Sequence, residues 1–170
     1  MKILFLGAPG SGKSTQGQFL AEDKGFEWIS SGQLFRESND PKILEIVKGA
    51  ELVPDEITER MIMEAMEGKE KVILDGFPRN LAQCEFLAEN EVKIDLMLEI
   101  VVPDEELLKR MLLRGRGQDT EEVAKERIKM YHETRDMVVE FFQARGVELI
   151  EIDGVGTIEE VKNKIREAIK

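Results

Sequence analysis

Cysteine occurs once in the 170 residues, at Cys84, which excludes an intrachain disulfide framework and a zinc site built from several thiolates. No apolar run approaches the ~20 residues of a membrane span. The opening Met1-Lys2-Ile3-Leu4-Phe5-Leu6-Gly7 carries one charge and then four strongly apolar residues, short of the about 7–15 of a signal-peptide core. Positive charge is in deficit, with 24 Lys+Arg against 35 Asp+Glu and a formal net charge of −11. That balance argues against non-specific binding to DNA or to an anionic membrane, both of which need an excess of Lys and Arg. What is present, 42% apolar and 35% charged residues, suits a soluble globular protein of the cytoplasm, long enough to bury a real core.

Five short runs rich in Ile, Leu, Val or aromatic residues predict strands at 3–6, 26–30, 72–74, 96–101 and 147–152. Several are nearly continuously apolar, as parallel strands covered on both faces are. Helical spacing marks 13–24, 42–48, 55–67, 81–90, 104–113, 121–144 and 158–169. Pro54 and Pro103 precede acidic residues of the kind a helix N-terminus favours. The alternation predicts a three-layer α/β/α fold around a five-stranded parallel sheet. With no repeat, low-complexity stretch or linker, 1–170 reads as one domain. Two stretches break the alternation, and both are candidate functional insertions: 31–60, longer than one crossover needs, and 114–120, a small Gly/Arg turn.

The string Gly7-Ala8-Pro9-Gly10-Ser11-Gly12-Lys13-Ser14-Thr15 fits GxxxxGK[ST] between a predicted strand and a predicted helix. Glycines let successive backbone N–H groups turn toward one centre, and the helix N-terminus adds its positive dipole end. Lys13 supplies a mobile cation to the outer phosphates, and Ser14 or Thr15 offers a hydroxyl to Mg²⁺. This is a nucleoside triphosphate site, which by itself does not separate a kinase from a GTPase or an ATPase.

Asp75 ends the third predicted strand, where the crevice of an open α/β sheet lies. A carboxylate there is placed to hold Mg²⁺ through water. The turn Gly76-Phe77-Pro78 aims Arg79 back into the crevice, and Arg36 follows the second strand. Each guanidinium is able to fork onto a phosphate, which makes a second anion clamp distinct from the phosphate loop.

With Ser31-Gly32-Gln33-Leu34-Phe35-Arg36, Leu52-Val53-Pro54-Asp55-Glu56 and Asp75-Gly76-Phe77-Pro78-Arg79 in this order behind the phosphate loop, the chain resembles the adenylate kinases of the nucleoside monophosphate kinase family. The resemblance runs from Met1 to the last helix. It implies a P-loop NTPase fold and the reaction Mg²⁺·ATP + AMP ⇌ 2 ADP by direct in-line transfer, serving adenine nucleotide balance. It implies that Gly10, Ser11, Gly12, Lys13, Ser14, Thr15, Arg110, Arg114 and Gly154 bind ATP. On the AMP side it implies Ser31, Gly32, Arg36, Val53, Gly76, Arg79 and Gln83, with Arg116 and Arg127. Arg36 and Arg79 grip the AMP phosphate, while Gln83 and the Val53 backbone read adenine. Catalysis falls to Lys13, Arg79, Arg114, Arg116 and Arg127, and the metal to Ser14, Thr15 and Asp75 through water. ATP, AMP and ADP are the implied partners, with no nucleic acid, membrane or zinc, and trimer and monomer both remain open. Stretch 31–60 becomes the AMP-binding insertion.

Arg110 and Arg114 are four apart, hence on one helix face. In the family a lid lies between the positions matched by Arg114 and Arg116. Here only Gly115 separates them, so the lid at about 114–120 is cut to a turn. Gln33 stands where the family has Asp, and Gln118 replaces the first Asp of the lid's closing string, leaving Asp119. A missing cover predicts loose selection of the donor base, with GTP, CTP or UTP also serving, and measurable hydrolysis.

His132, the only histidine, reads as packing or helix surface, because transfer between phosphates needs no side-chain base. Cys84 reads as core. Met63 falls among Glu56, Glu59, Arg60 and Glu67 on the polar face of its helix and, together with Ile62, marks a candidate subunit contact. The competing readings are a kinase for CMP, UMP or another monophosphate, and a P-loop ATPase or switch. The second phosphate clamp argues against the switch.

Overall fold

The computed structural model describes residues 1–48, 52–114 and 120–169. Five strands, β1 (Lys2–Leu6), β2 (Glu27–Ser30), β3 (Val72–Asp75), β4 (Leu96–Val101) and β5 (Glu148–Asp153), pair in the order β2-β3-β1-β4-β5. Every pairing is parallel, with Phe5 and Ser30 both opposite Asp75 and Leu6 opposite Glu99. The helices are α1 (Lys13–Lys24), α2 (Ser31–Arg36), α3 (Pro41–Ile46), α4 (Asp55–Met66), α5 (Leu81–Glu89), α6 (Asp104–Arg114), α7 (Glu121–Gln143) and α8 (Ile158–Ala168).

The period of two along β1 separates the core into two sides. Ile3 and Phe5 pack with Leu20 and Ala21 of α1 and Val161 and Ile165 of α8. Leu4 joins Leu87 of α5 and Val138, Val139 and Phe142 of α7 on the opposite side. The outcome is the expected three-layer α/β/α fold with a five-stranded parallel sheet. Cys84 is fully buried, and desolvation pushes its thiol pKa up to about 12.

The sequence reading departs from the fold at α2 and α4. Six residues are too few to show a hydrophobic period, so α2 is invisible in the pattern. On α4 the core face is Thr58, Ile62 and Met66. Ile62 is wholly buried and so belongs to the core, while Met63 packs against the same cluster and stays part-exposed.

Gly17 of α1 illustrates how tightly that helix lies on the sheet. A Cβ there would stand 2.8 Å from Trp28 Nε1 and 3.0 Å from Phe5 Cδ1. Alanine gains about 1 kcal/mol of helix propensity over glycine, but overpacking a filled site costs about 1–3 kcal/mol. Gly17→Ala is therefore expected to lower the urea midpoint. A midpoint at or above the parental value would show that the Trp28 ring moves aside freely.

Candidate active site

The loop between β1 and α1 turns on glycines with positive φ, 90° at Gly10 and 89° at Gly12. At Gly10 a Cβ would lie 2.8 Å from the Leu107 carbonyl oxygen and 3.0 Å from Met111 Cγ, so the loop is seated directly on α6. Gly12 caps α1 without any side-chain bond to the first turn, which leaves the orphan N–H groups of that turn for an anion.

Lys13 Nζ lies 3.6 Å from Asp75 Oδ1, and the Ser14 hydroxyl donates to Asp75 Oδ2 at 3.0 Å. Burial lowers the Lys13 pKa, the Asp75 carboxylate partly offsets this, and the cations of Arg79 and Arg114 lower it further. An arriving polyanion would reverse that cationic crowding. The same contest appears at Arg36, lowered first by desolvation and then by Arg114, and at Arg79, lowered first by desolvation and also by Arg127.

The turn after β3 is built around Gly76. Its carbonyl accepts from Ser31 Oγ at 2.8 Å and from Arg79 Nε at 2.7 Å. Its φ is 79°, and a Cβ would come within 2.6 Å of Ser31 Oγ and 2.9 Å of Arg79 Nη2. Glycine is required there on both counts. Gly32 similarly leaves room for Arg36, whose Nη1 would lie 3.2 Å from a Cβ.

One continuous cleft of about 700 Å³ takes in Gly10, Gly12, Lys13, Ser14 and Thr15 on one side and Gly32, Arg36, Val53, Gly76 and Arg79 on the other. Asp75, Arg110, Arg114 and Arg127 also line it. Arg110 is steered by Glu106, 2.8 Å from its Nε, and by the Gly154 carbonyl, which accepts from both Nη atoms at 3.2 Å. Arg127 Nη2 donates to the Val47 carbonyl at 3.3 Å.

Four sequence candidates do not line the cleft. Ser11, Ser31 and Gln83 are buried behind it, and Gly154 acts through Arg110. Gln83 is held at both ends of its amide. Its Oε1 accepts from the Arg79 N–H at 2.7 Å, and its Nε2 donates to Asp55 Oδ1 at 2.7 Å. Arg116, Gln118, Asp119 and most of the stretch 114–120, expected from the sequence to be a short lid, lie outside the described residues.

A phosphate loop facing an arginine clamp across one cleft is the arrangement the sequence strings predict. The family model for adenylate kinase matches residues 5–147. The chain belongs to the adenylate kinase family. Relatives named adenylate kinase include those of Thermobifida fusca, 39% identical with 100% of this chain and 98% of the relative covered, and Thermus thermophilus, 38% identical with 98% and 96% covered. The adenylate kinase of Pseudarthrobacter chlorophenolicus is 37% identical, with 99% and 96% covered. The chain is accordingly a transferase of the nucleoside monophosphate kinase class, and none of its described helices is long and apolar enough to cross a membrane.

This adenylate kinase family member also lines its cleft with residues that the sequence reading passed over: Tyr131, Thr134, Arg135 and Val138 of α7. Tyr131 and Arg135 both bond to Glu99 of β4. The available signal was Glu99 itself, a carboxylate within the otherwise apolar strand Leu96–Val101. Such a residue needs a buried partner.

Proposed function

We propose that this cleft carries out Mg²⁺-dependent transfer of the terminal phosphoryl group of ATP to AMP, giving two ADP by direct in-line attack. The observation that carries the reading is the pair of anion grips opening onto one cleft. The phosphate loop follows β1 and the Asp75–Arg79 turn follows the neighbouring β3, with Phe5 paired to Asp75. The loop and Lys13 hold the donor. Arg36 and Arg79 hold the acceptor phosphate, which is already anionic and needs no base. Lys13, Arg114, Arg116 and Arg127 stabilise charge on the moving group, so catalysis is positioning plus electrostatics. Residues 31–60 form the AMP insertion, with the Val53 backbone reading adenine and Gln83, its amide engaged by the Arg79 N–H and Asp55, bracing the turn beside it.

The donor set suits magnesium. Ser14 Oγ and the Asp75 carboxylate are hard oxygens 3.0 Å apart beside the loop, and the described residues hold no cluster of three or more His, Cys, Asp or Glu able to bind a metal. Ser14, Thr15 and, through water, Asp75 would hold the ion with the nucleotide. When bound it supplies charge neutralisation between the outer phosphates.

The lid at 114–120 is short. In support, the alignment with the Thermobifida relative spans 188 positions against 170 residues here, so that relative carries additional residues somewhere along its length. A clipped cover leaves the donor base weakly selected, which predicts that GTP, CTP and UTP serve as donors. The test is product analysis with Mg²⁺·ATP alone and then with AMP, CMP, UMP or dTMP. Two ADP per AMP consumed, with other acceptors poor, is expected. Efficient phosphorylation of CMP or UMP would favour the pyrimidine kinase reading, and phosphate release independent of any acceptor would overturn both. A steep preference for ATP over the other triphosphates would sink the lid argument alone.

A further inference from the structure

The cleft-facing residues of α7 are Arg127, Met130, Tyr131, Thr134, Arg135 and Val138. Their spacing of three and four keeps one helix face on one wall. Against that wall, opposite Leu6 of β1, Glu99 is 4% exposed. A carboxylate so buried must be paired and hydrogen-bonded, and it is. The Tyr131 hydroxyl donates to Glu99 Oε1 at 2.5 Å, and Arg135 Nε donates to Oε1 at 3.0 Å and Oε2 at 3.1 Å. Arg135 Nη2 donates to Glu99 Oε2 and, at 3.0 Å, to Glu151 of β5, while Nη1 donates to Asp136 at 3.0 Å. Arg135 is thus met by three carboxylates. Although it lines the cleft, it has no donor pattern left to fork onto a phosphate. It is a strut between α7 and the sheet.

We propose that Glu99, through Tyr131 and Arg135, is a positioning residue that fixes the rotation and axial position of α7 and so places Arg127 against the transferring phosphoryl group. The inference rests on the role given to Arg127 above. Arg127 precedes Arg135 by eight residues, about 12 Å along the helix at 1.5 Å per residue. Flanking Arg127, Ala124 and Ile128 hold the depth of the helix in the cluster that contains Leu107 and Met111 of α6. Apolar packing is non-directional, whereas charge-assisted bonds at two successive turns resist sliding and rotation. An error of about 1 Å at a reacting centre costs on the order of 100-fold in rate.

The test uses Tyr131→Phe and the paired change E99M/R135M, each made alone and in an Arg127→Ala background. Apolar replacement of a buried ion pair is often neutral for stability, but here it also takes the acceptor from the Tyr131 hydroxyl, so the paired variant is expected to fold and to melt somewhat below the parent. Its kcat is expected to fall about tenfold or more, with KM for ATP and AMP within about threefold. In the Arg127→Ala background neither change is expected to lower kcat further, because both act through that side chain. A folded paired variant with kcat within about twofold of parent, or a loss that persists undiminished without Arg127, overturns the inference. Should the paired variant not fold, Tyr131→Phe, which removes one hydroxyl, decides by the same non-additivity. If Arg127→Ala alone leaves kcat unchanged, the role of Arg127 falls first and the inference with it.

Discussion

Lys13→Met is expected to lower kcat by about 10²–10³-fold in both directions, the range seen when one preorganised donor is taken from developing transition-state charge. Lys13 is held 3.6 Å from Asp75 in a desolvated, cation-crowded position that already lowers its pKa. Those surroundings make its charge more effective toward a phosphate than it would be in water. The loop N–H groups remain in the variant, so nucleotide is still bound and the loss falls chiefly on kcat. Asp75 keeps Ser14 as a hydrogen-bond donor but loses its cation. Breaking a buried pair costs up to about 3–5 kcal/mol, so a denaturation curve must accompany the kinetics. Initial rates of ADP formation and of its reverse, on protein shown to be folded, settle the matter. A folded variant within tenfold of parent would mean that the loop backbone and arginines carry the charge without Lys13.

Arg79 should show a different signature. Arg79→Lys is expected to lower kcat/KM for AMP by about 10²–10³-fold while ATP affinity stays within about threefold, because lysine keeps the charge and loses the fork that grips a phosphate bidentately. The bond from Arg79 Nε to the Gly76 carbonyl fixes the plane of the guanidinium, and a lysine ammonium has no plane to fix. Steady-state kinetics with each substrate varied in turn separate the two effects. Equal losses for ATP and AMP would show that Arg79 bridges both phosphates and belongs to neither.

How much of this was legible follows from what each signal encodes. The strands were readable because a parallel sheet buried on both faces leaves continuous apolar runs such as Ile3-Leu4-Phe5, all at most 1% exposed. Phosphate-loop and Asp75–Arg79 positions were readable because positive φ favours glycine at Gly12, and positive φ together with close approach requires it at Gly76. The Glu99–Arg135 pair was not, since its partners stand 36 residues apart and no spacing rule links them. Gln83 was expected to read adenine, yet it stands behind the cleft, because its bond to Asp55 spans 28 residues and depends on how α4 packs on α5.

The register of β1 and β3, with Phe5 beside Asp75, has a consequence for how this enzyme tolerates change. Neighbouring strands are held about 4.7–4.9 Å apart by hydrogen bonds between peptide groups, which every residue type supplies. The two proposed phosphate grips therefore hang from adjacent marks of one ruler, and the divisions of that ruler are independent of side-chain identity. Side chains along these strands can change without altering the gap between the proposed donor and acceptor grips, because the peptide backbone measures it.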